Sequence, residues 1–456
     1  MVINLVIIFL FFFLSNIFFS SRFSIMENTI IGMILNYIII MFISLFEISY
    51  IKYFLVLKIF IILSLIYFFY TQFNKLKLYL VKYQSLYEIE KIVLLLKITF
   101  LIIFINLIFY ENIINIILNP LEAGDALAGW FHKAKYFIYN PGIEHWRQIS
   151  YPNFISSMWS ISFLLFDENF NISRIILPFI MFICVITVYS KILKEFNNFL
   201  LNSLFLIFIL SFYSLSSFGG NFRYSNSGYA DFAVASFLMV GFTYLYLSFR
   251  NKKFFKKDFL FSCICLGILS SIKTEGLVIS FGIMFIMNLY FLYCCNIQYR
   301  ENFKVIIFCN LIFVLISIFP VLLSQYLQLL IGTTNYSTKF FQPQNLLSFG
   351  IISERIPLIF EYIYLALKEN RAPGLLFGIL ILINFFITRK INNILKLIFV
   401  MSVFFFSYII LIYLVSNFPL EWHLQTSLNR IFYPYTGLIF SFYFLIINYD
   451  YNNKFI

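Results

Sequence analysis

A polar stretch at residues 121–137, LEAGDALAGWFHKAKYF, interrupts a chain that otherwise consists mostly of Ile, Leu and Phe. At about 100° per residue, Asp125 and His132 share one face of a predicted helix, and Lys133 and Lys135 lie on either side of it. A face of this kind offers a carboxylate that accepts a proton and ammonium groups that bind an anion. The alternative is that Asp125 only caps the N-terminus of the helix, as short acids commonly do. The pattern alone supports both interpretations.

Two further stretches place charged residues at the ends of apolar runs. In NSGYADFAV, Asp231 lies at the mouth of an apolar run, where an acid is costly unless it is paired or faces water. The site interpretation of Asp231 competes with a helix cap. In SSIKTEGLVIS, Lys273 and Glu275 lie in a turn between two apolar runs. They either pair only with each other at the membrane interface or take part in a site.

The stretch EWHLQTSLNRIFYPY brings Trp422, His423 and Arg430 close together near the end of the chain. Arginine is a forked, permanently charged ligand for phosphate, and histidine adds a second donor. The alternative is that Arg430 anchors a helix at the lipid headgroups. The basic residues that would hold an anion, if they converge on one face, are Lys133, Lys135, Lys273, His423 and Arg430.

The composition identifies the elements that must position these residues. The 456 residues are 62% hydrophobic and 11% charged, whereas soluble domains carry about a quarter charged residues. Apolar runs of about 15 to 22 residues recur, so we predict an all-α polytopic membrane protein with about 13 crossings. The net charge of +12 does not indicate nucleic-acid binding, because no polar stretch is long enough to form a basic domain. The predicted crossings are 2–20, 30–48, 52–70, 92–110, 173–193, 198–217, 229–249, 258–272, 276–295, 305–325, 373–388, 396–416 and 432–448.

The distribution of Lys and Arg in short loops predicts the orientation. The densest basic loop, 250–257, is assigned to the cytoplasm, and counting outward from it places the N-terminus outside and the C-terminus inside. The long segments 111–172, 326–372 and 417–431 then lie outside and contain all the histidines and tryptophans. An interfacial aromatic belt explains the tryptophans but not the Asp, His and Arg residues. Within the second segment, residues 353–370 predict an amphipathic helix in the interface.

Four stretches resemble, in the same order, motifs of bacterial GT-C superfamily glycosyltransferases that use polyprenyl-phosphate sugars. These enzymes are related to protein O-mannosyltransferases and to the lipid A aminoarabinose transferase. The matching stretches, which extend over residues 92–448, are D-A-x-x-x-W-x-x-K-A from Asp125 followed by Tyr151-Pro152, GYAD at 228–231, KTEG at 273–276 and WHLQTSLNR at 422–430. Thr274 replaces the usual Asn, Ser150 replaces a frequent acid, and three predicted crossings precede the matching region.

The resemblance implies a GT-C-like catalytic transmembrane domain at 92–456, whose long first outer loop carries juxtamembrane helices, preceded by extra N-terminal transmembrane helices at 1–91. Such enzymes transfer one sugar from a polyprenyl phosphate to a hydroxyl acceptor, in a cell-envelope glycan, a lipid or a protein, with inversion at the anomeric carbon. The reaction takes place on the extracytoplasmic face, here that of a bacterial inner membrane.

The resemblance also implies roles for individual residues. Asp125 is expected to be the general base, and Asp231 a second acid that orients the acceptor or the sugar. No metal is required, although Asp125 and Asp231 could together hold a divalent cation. The residues expected to bind substrate are His132, Lys133, Tyr229, Lys273, Glu275, Trp422, His423 and Arg430.

Two other functions compete with this one. An O-antigen polymerase or ligase relies on Arg and His in a large outer loop, and the loop 326–372 contains no His. A lipid or sugar transporter predicts charges near the middle of the bilayer and broken helices in two related halves. Most charges here fall at loop depth instead, although Lys58 and Lys97 lie within apolar runs.

Overall fold

The architecture of the chain is given by a computed structural model with side chains. The residues that it describes are 8–13, 23–45, 59, 95, 99, 114, 130–139, 152–166, 173–196, 199–215, 217–219, 222–223, 230–250, 253–330, 349–368 and 393–449. The predicted crossings 52–70, 92–110 and 373–388 therefore lie wholly or almost wholly outside the described residues.

Helices form nearly all of the described structure. They are α1 (Ile25–Leu45), α2 (His132–Tyr139), α3 (Phe154–Leu165), α4 (Ile176–Phe196), α5 (Phe199–Leu215), α6 (Asp231–Leu247), α7 (Lys256–Gly267), α8 (Leu269–Ile272), α9 (Glu275–Cys294), α10 (Asn296–Glu301), α11 (Phe303–Leu330), α12 (Phe349–Lys368), α13 (Asn393–Leu414) and α14 (Leu420–Tyr449). Two short antiparallel hairpins join helices: β1 (Ser217–Gly219) with β2 (Phe222–Arg223), and β3 (Phe249–Arg250) with β4 (Lys253–Phe254).

Several helices are long and apolar enough to cross a bilayer. Among the described residues these spans are Ile25–Phe42, Ile176–Phe196, Glu275–Cys294, Phe303–Leu323 and Lys396–Leu414. Shorter apolar helices lie at Leu201–Leu210 and Asp231–Leu247. The prediction of an α-helical membrane protein is confirmed at this level.

Exposed apolar side chains on α9 and α11 are compatible with contact to lipid. Phe285 and Leu289 on α9 are exposed, as are Phe308, Leu311 and Leu315 on α11. A continuous apolar surface of this kind is stable only against hydrocarbon or another protein. These two helices therefore lie at the outside of the bundle.

Helix boundaries differ from the prediction where capping or polar residues extend a helix. Helix α1 starts before the predicted residue 30 because Ser24 and Glu27 form a capping box, with the Ser24 backbone N–H donating to Glu27 Oε2 at 2.7 Å. The predicted outer loop 417–431 is helical from Leu420 and continues into the last crossing as α14, which is 30 residues long. Glu421 lies in the first turn of this helix, where a carboxylate favours a helix start.

The other predicted outer segments are also partly helical. Residues 132–139 and 154–165 form short helices within the predicted loop 111–172; their position beside the membrane stays a prediction. Helix α12 covers most of the amphipathic stretch 353–370, so the predicted helix is confirmed there; its depth in the interface stays a prediction. The predicted crossing 258–272 consists of two helices, α7 and α8, which meet at Ile268.

The core is organised around α6, whose residues are all buried. It packs mainly against α14, α7 and α4. Helix α14 approaches very closely, because Gly437 has no side chain beside the carbonyl oxygen of Ala235. The Ser441 hydroxyl donates to the Met239 carbonyl across the same interface at 3.0 Å. Close approach through small residues is a principal source of helix association in lipid.

Charged groups gather at both ends of α6. At the C-terminal end, the Tyr244 hydroxyl donates to Glu27 Oε1 at 2.8 Å, and Lys257 pairs with Glu27 Oε2 at 2.8 Å. Nearby, Lys191 pairs with Asp258 at 2.8 Å. Thirteen residues at 1.5 Å each separate Tyr244 from the first residue of α6, which is about 20 Å. The two polar ends are thus separated by most of a bilayer core.

The close approach of α6 and α14 predicts the effect of adding one methyl group. In Gly437→Ala the new Cβ would overlap the Ala235 carbonyl, so the helices must separate, and we expect a loss of about 1–3 kcal/mol of stability. Thermal unfolding of the purified protein in detergent measures this loss. Gly350→Ala is the matched control, because a Cβ there meets nothing within 4 Å. Equal unfolding temperatures for the two variants would contradict the packing described here.

Candidate functional site

The first residue of α6, Asp231, is the centre of a buried ion cluster. Its side chain is wholly buried. Lys273 Nζ lies 2.7 Å from Asp231 Oδ1, and Arg430 Nε lies 3.4 Å from Oδ2. Glu275 Oε1 lies 3.3 Å from Lys273 Nζ. We call these four residues the Asp231 cluster; it joins parts of the chain that are 42 and 199 residues apart.

Local structure explains how each member reaches the cluster. Asp231 lies at the N-terminus of α6, where the helix dipole favours a carboxylate. Lys273 has extended backbone after α8, and Glu275 begins α9 after a very short turn. Gly276 permits this turn, because a Cβ there would overlap the Leu269 carbonyl. This turn brings the C-terminus of α8 against the N-terminus of α9 and directs Lys273 toward α6.

The cluster balances two carboxylates against two cations. Burial alone would lower the pKa of Lys273, but Asp231 and Glu275 raise it above its ordinary value. Lys273 therefore stays charged at neutral pH. Lys273 and Glu275 therefore do not pair only with each other, since Lys273 also pairs with the distant Asp231; their part in a functional site stays a prediction.

His423 lies in the first turns of α14 and is neutral at neutral pH. Its Nδ1 lies 2.7 Å from the Ser416 hydroxyl, and its ring packs between those of Tyr413 and Phe418. Burial lowers its pKa to about 4; Glu275 opposes this effect, and the cations Lys273, Arg430 and Arg355 reinforce it. A neutral imidazole is suited to hydrogen bonding rather than to charge pairing with a phosphate.

Arg355 lies close to His423 and was not predicted as a site residue. From α12, its Nη1 donates to the carbonyls of Tyr413 at 3.1 Å, Leu414 at 3.0 Å and Ser416 at 2.7 Å. These carbonyls lie at the C-terminus of α13 and just after it, where helices leave acceptors without partners within the helix. No local signal indicates this contact, because Arg355 falls within an ordinary amphipathic pattern.

The remaining predicted residues occupy other positions. On α2, His132 is exposed, whereas Lys133 is buried where this helix packs on α3, and burial lowers the pKa of Lys133 to about 7. Trp422 is 52% exposed on α14 and contacts Phe418. Asp125 and Tyr229 lie outside the described residues.

A small pocket adjoins the Asp231 cluster between α6, α9, α13 and α14. It has a volume of about 10 Å³ and an almost entirely apolar surface, although Lys273, Glu275 and Tyr408 are among the residues that line it. Tyr408 was not predicted as a site residue, because a tyrosine within an apolar run resembles its aromatic neighbours. A hydropathy pattern does not distinguish this tyrosine from the apolar aromatic residues around it, because it takes no account of a single hydroxyl.

Within the described part of the chain, no group of three or more His, Cys, Asp or Glu residues could hold a metal ion. Both carboxylate oxygens of Asp231 contact cations, which makes this residue a poor metal ligand in the present arrangement. The combination of Asp125 with Asp231 as a divalent-cation site stays a prediction, since Asp125 is not described.

No protein-family model, curated protein or solved structure matches the chain. The chemistry of the Asp231 cluster follows from its own side chains. Two fixed cations at a helix end can stabilise an anion, while a buried carboxylate holds them in place.

Unfolding measurements would test the coupling within the cluster. Asp231→Asn leaves two cations without their carboxylate, and breaking a buried pair of this kind costs about 3–5 kcal/mol. We expect Lys273→Met to cost less in the Asp231→Asn background than in the wild type, by about 1–3 kcal/mol. Glu354→Gln, at an exposed position on α12, should change stability by less than about 0.5 kcal/mol. Additive effects of the first two substitutions would mean that the ion pair is not formed.

The lowered pKa of His423 predicts acid destabilisation. Its ordinary pKa is 6.5 and its folded pKa is about 4, so the unfolded chain binds the proton more readily. The stability that depends on neutral His423 is fully present above about pH 6.5 and is lost as the pH falls toward 4. We expect His423→Gln to unfold with a weaker pH dependence than the wild type over this window. Identical slopes for the two proteins would exclude a buried neutral imidazole.

Proposed function

We propose that the protein is a membrane glycosyltransferase of the GT-C type. It transfers a sugar from a polyprenyl phosphate to a hydroxyl acceptor of the cell envelope, on the extracytoplasmic face of a bacterial inner membrane. The proposal includes the 13 crossings and their orientation. The observation that carries it is the meeting of Asp231, Lys273 and Arg430, which come from three of the four stretches that resemble this superfamily.

The reaction requires a base on one side of the sugar and fixed positive charge on the other. The acceptor oxygen attacks the anomeric carbon as the bond from that carbon to the phosphate oxygen breaks, which inverts the configuration. Asp125 takes the proton of the acceptor hydroxyl. The departing polyprenyl phosphate gains negative charge, which Lys273 and Arg430 stabilise.

The geometry favours a positioning role for Asp231 rather than direct contact with the acceptor. Its carboxylate is wholly buried and both of its oxygens face cations. Arginine has five N–H donors and lysine has three, so contact with Asp231 is compatible with simultaneous phosphate binding. In this role Asp231 prepares Lys273 and Arg430 before the donor arrives, and no reorganisation is needed as charge develops.

The arrangement of polar groups supports the proposed topology. The Asp231 cluster lies at one end of α6, while Glu27, Lys191 and Lys257 gather at the other end. This separation agrees with a site on one membrane surface and basic loops on the opposite surface. For the described helices around α6, this separation does not agree with the midplane charges expected of a transporter; Lys58 and Lys97 lie outside the described residues.

Transfer assays would test the function directly. The purified protein in lipid nanodiscs is supplied with polyprenyl-phosphate glucose, galactose, mannose or arabinose, together with lipid-linked acceptors. We expect transfer by the wild type and a loss of roughly 10²-fold or more in Asp125→Asn, because a general base contributes at least that factor.

The controls separate catalysis from folding. Glu354→Gln should transfer at the wild-type rate, and Asp125→Asn should unfold at the wild-type temperature. Arg430→Lys keeps one charge but loses the fork, so its rate should fall between those of the wild type and Arg430→Met. Full turnover by Asp125→Asn, or no transfer by the wild type from any donor, would refute the proposal.

A further inference from the structure

The Ser416 hydroxyl holds one edge of the His423 ring. Ser416 lies between α13 and α14 and is wholly buried. Its Oγ lies 2.7 Å from His423 Nδ1, and it accepts a hydrogen bond from the Phe418 backbone N–H at 3.2 Å. From α12, Arg355 Nη1 donates to the Ser416 carbonyl at 2.7 Å. The imidazole therefore meets a hydroxyl whose position is set by two further contacts.

These hydrogen bonds decide which imidazole nitrogen carries the proton. A neutral imidazole has one N–H donor and one bare nitrogen that accepts, and a serine hydroxyl has a single proton to donate. Because the Phe418 N–H donates to Ser416 Oγ, the hydroxyl proton is directed away from Phe418 and toward Nδ1. Accepting one hydrogen bond also makes the hydroxyl a stronger donor. Nδ1 of His423 is then the acceptor, and the ring proton lies on Nε2.

Nε2 is the nitrogen of this imidazole that stays available to a ligand. The ring is half-buried, and Tyr413 and Phe418 pack against it. Among the described residues, Nε2 has no hydrogen-bond partner, whereas Nδ1 is paired with Ser416. A donor without an acceptor is costly, so the Nε2–H of His423 requires an acceptor from water or from a bound molecule.

His423 lies on the same face of α14 as a cation of the Asp231 cluster. His423 and Arg430 are seven residues apart, which is close to two turns, or about 10 Å along the helix axis. The Cα–Cβ bond of Arg430 points toward the N-terminus of α14, as in every helix, and so toward His423. Burial lowers the pKa of His423, and Lys273 and Arg430 lower it further, so both cations lie near the ring. An anion held by these cations would be close to the imidazole.

We infer that Ser416 is a positioning residue for the proposed transfer: its hydroxyl keeps the ring proton of His423 on Nε2, and this N–H donates to the phosphate of the polyprenyl donor. The inference rests on the proposed function for the identity of that ligand. A neutral donor adds a hydrogen bond to the departing phosphate without adding charge to a cluster that already holds two cations. His423 touches the donor in this arrangement, whereas Ser416 and Arg355 act through His423.

Nuclear magnetic resonance of the imidazole nitrogens tests the positioning role. The protein is labelled with isotope-enriched histidine and studied in nanodiscs at neutral pH. The chain has three histidines, so the signals of His423 are identified by their loss in His423→Gln. We expect one tautomer in the wild type, with the proton on Nε2 and a hydrogen bond accepted at Nδ1. In Ser416→Ala that hydrogen bond is lost, and the tautomer with the proton on Nδ1 becomes populated.

Ser402→Ala is the matched control. Ser402 lies on α13, and its hydroxyl contacts the Tyr435 hydroxyl rather than a histidine. This variant should keep the wild-type tautomer. Ser416→Thr restores the hydroxyl and should restore the single tautomer that Ser416→Ala loses. A wild-type ring protonated on Nδ1, or an unchanged tautomer in Ser416→Ala, would overturn the inference.

Transfer kinetics test the contact with the donor. The side-chain nitrogen of glutamine can take the place of Nε2, whereas that of the shorter asparagine corresponds to Nδ1. We therefore expect His423→Gln to exceed His423→Asn in kcat/KM by about tenfold or more, the value of one hydrogen bond to a charged group. Ser416→Ala should fall between the wild type and His423→Asn, because its ring carries the proton on Nε2 only part of the time. Ser402→Ala should match the wild type.

The outcomes separate this inference from the proposed function. If the wild type transfers no sugar, the proposed function fails and the inference fails with it. If the wild type transfers sugar but Ser416→Ala keeps its tautomer, the inference alone is overturned. Equal transfer by His423→Gln and His423→Asn also overturns the inference alone, because Nε2–H would then not contact the donor. If Ser416→Ala does not fold, the wild-type tautomer and the comparison of the two His423 variants decide the question.

Discussion

The buried carboxylate of Asp231 is the constraint on which the arrangement of this end of the bundle depends. An isolated carboxylate in a low-dielectric interior is prohibitively costly, so α6 can bury its first residue only if cations accompany it. Lys273 and Arg430 meet this requirement from two other parts of the chain. The turn between α8 and α9 and the first half of α14 are thereby fixed against α6. The same contacts that stabilise the fold hold the two cations in a defined position.

The opposite end of α6 is fixed in a comparable way. Tyr244 and Lys257 both contact Glu27, and Lys191 contacts Asp258, which ties α1, α4 and α7 to the central helix. Between the two ends the helix contacts are mostly apolar, apart from the hydrogen bond from Ser441 to Met239, and in lipid apolar contacts gain little from the hydrophobic effect. Register between helices therefore depends on polar contacts at both ends and on close packing where a glycine faces a backbone.

The sequence predicts the helices of this fold better than the contacts between them. Apolar runs specify α4, α9 and α13 because their periodicity and length are local properties. The helical start of α14 was missed because the mixed polar residues from Trp422 to Arg430 lower its hydropathy, although the backbone continues without a break.

Within the site, short motifs identified Asp231, Lys273 and Arg430 as candidates, but their pairing depends on tertiary structure. Residues 199 positions apart leave no local signal of contact. Tyr408 was missed for a different reason, since one hydroxyl does not change the apolar pattern of its helix. In this sequence, charged residues within apolar surroundings can therefore be recognised as site candidates, whereas a single tyrosine hydroxyl cannot.

The contact of Arg355 with the end of α13 has a mechanical consequence. Ser416 accepts from Arg355 through its carbonyl and contacts His423 through its hydroxyl. The amphipathic helix α12 is thus linked to the imidazole through one intervening residue. The three hydrogen bonds of Arg355 thus hold the segment that follows α13, and with it the hydroxyl beside His423 Nδ1, against α12.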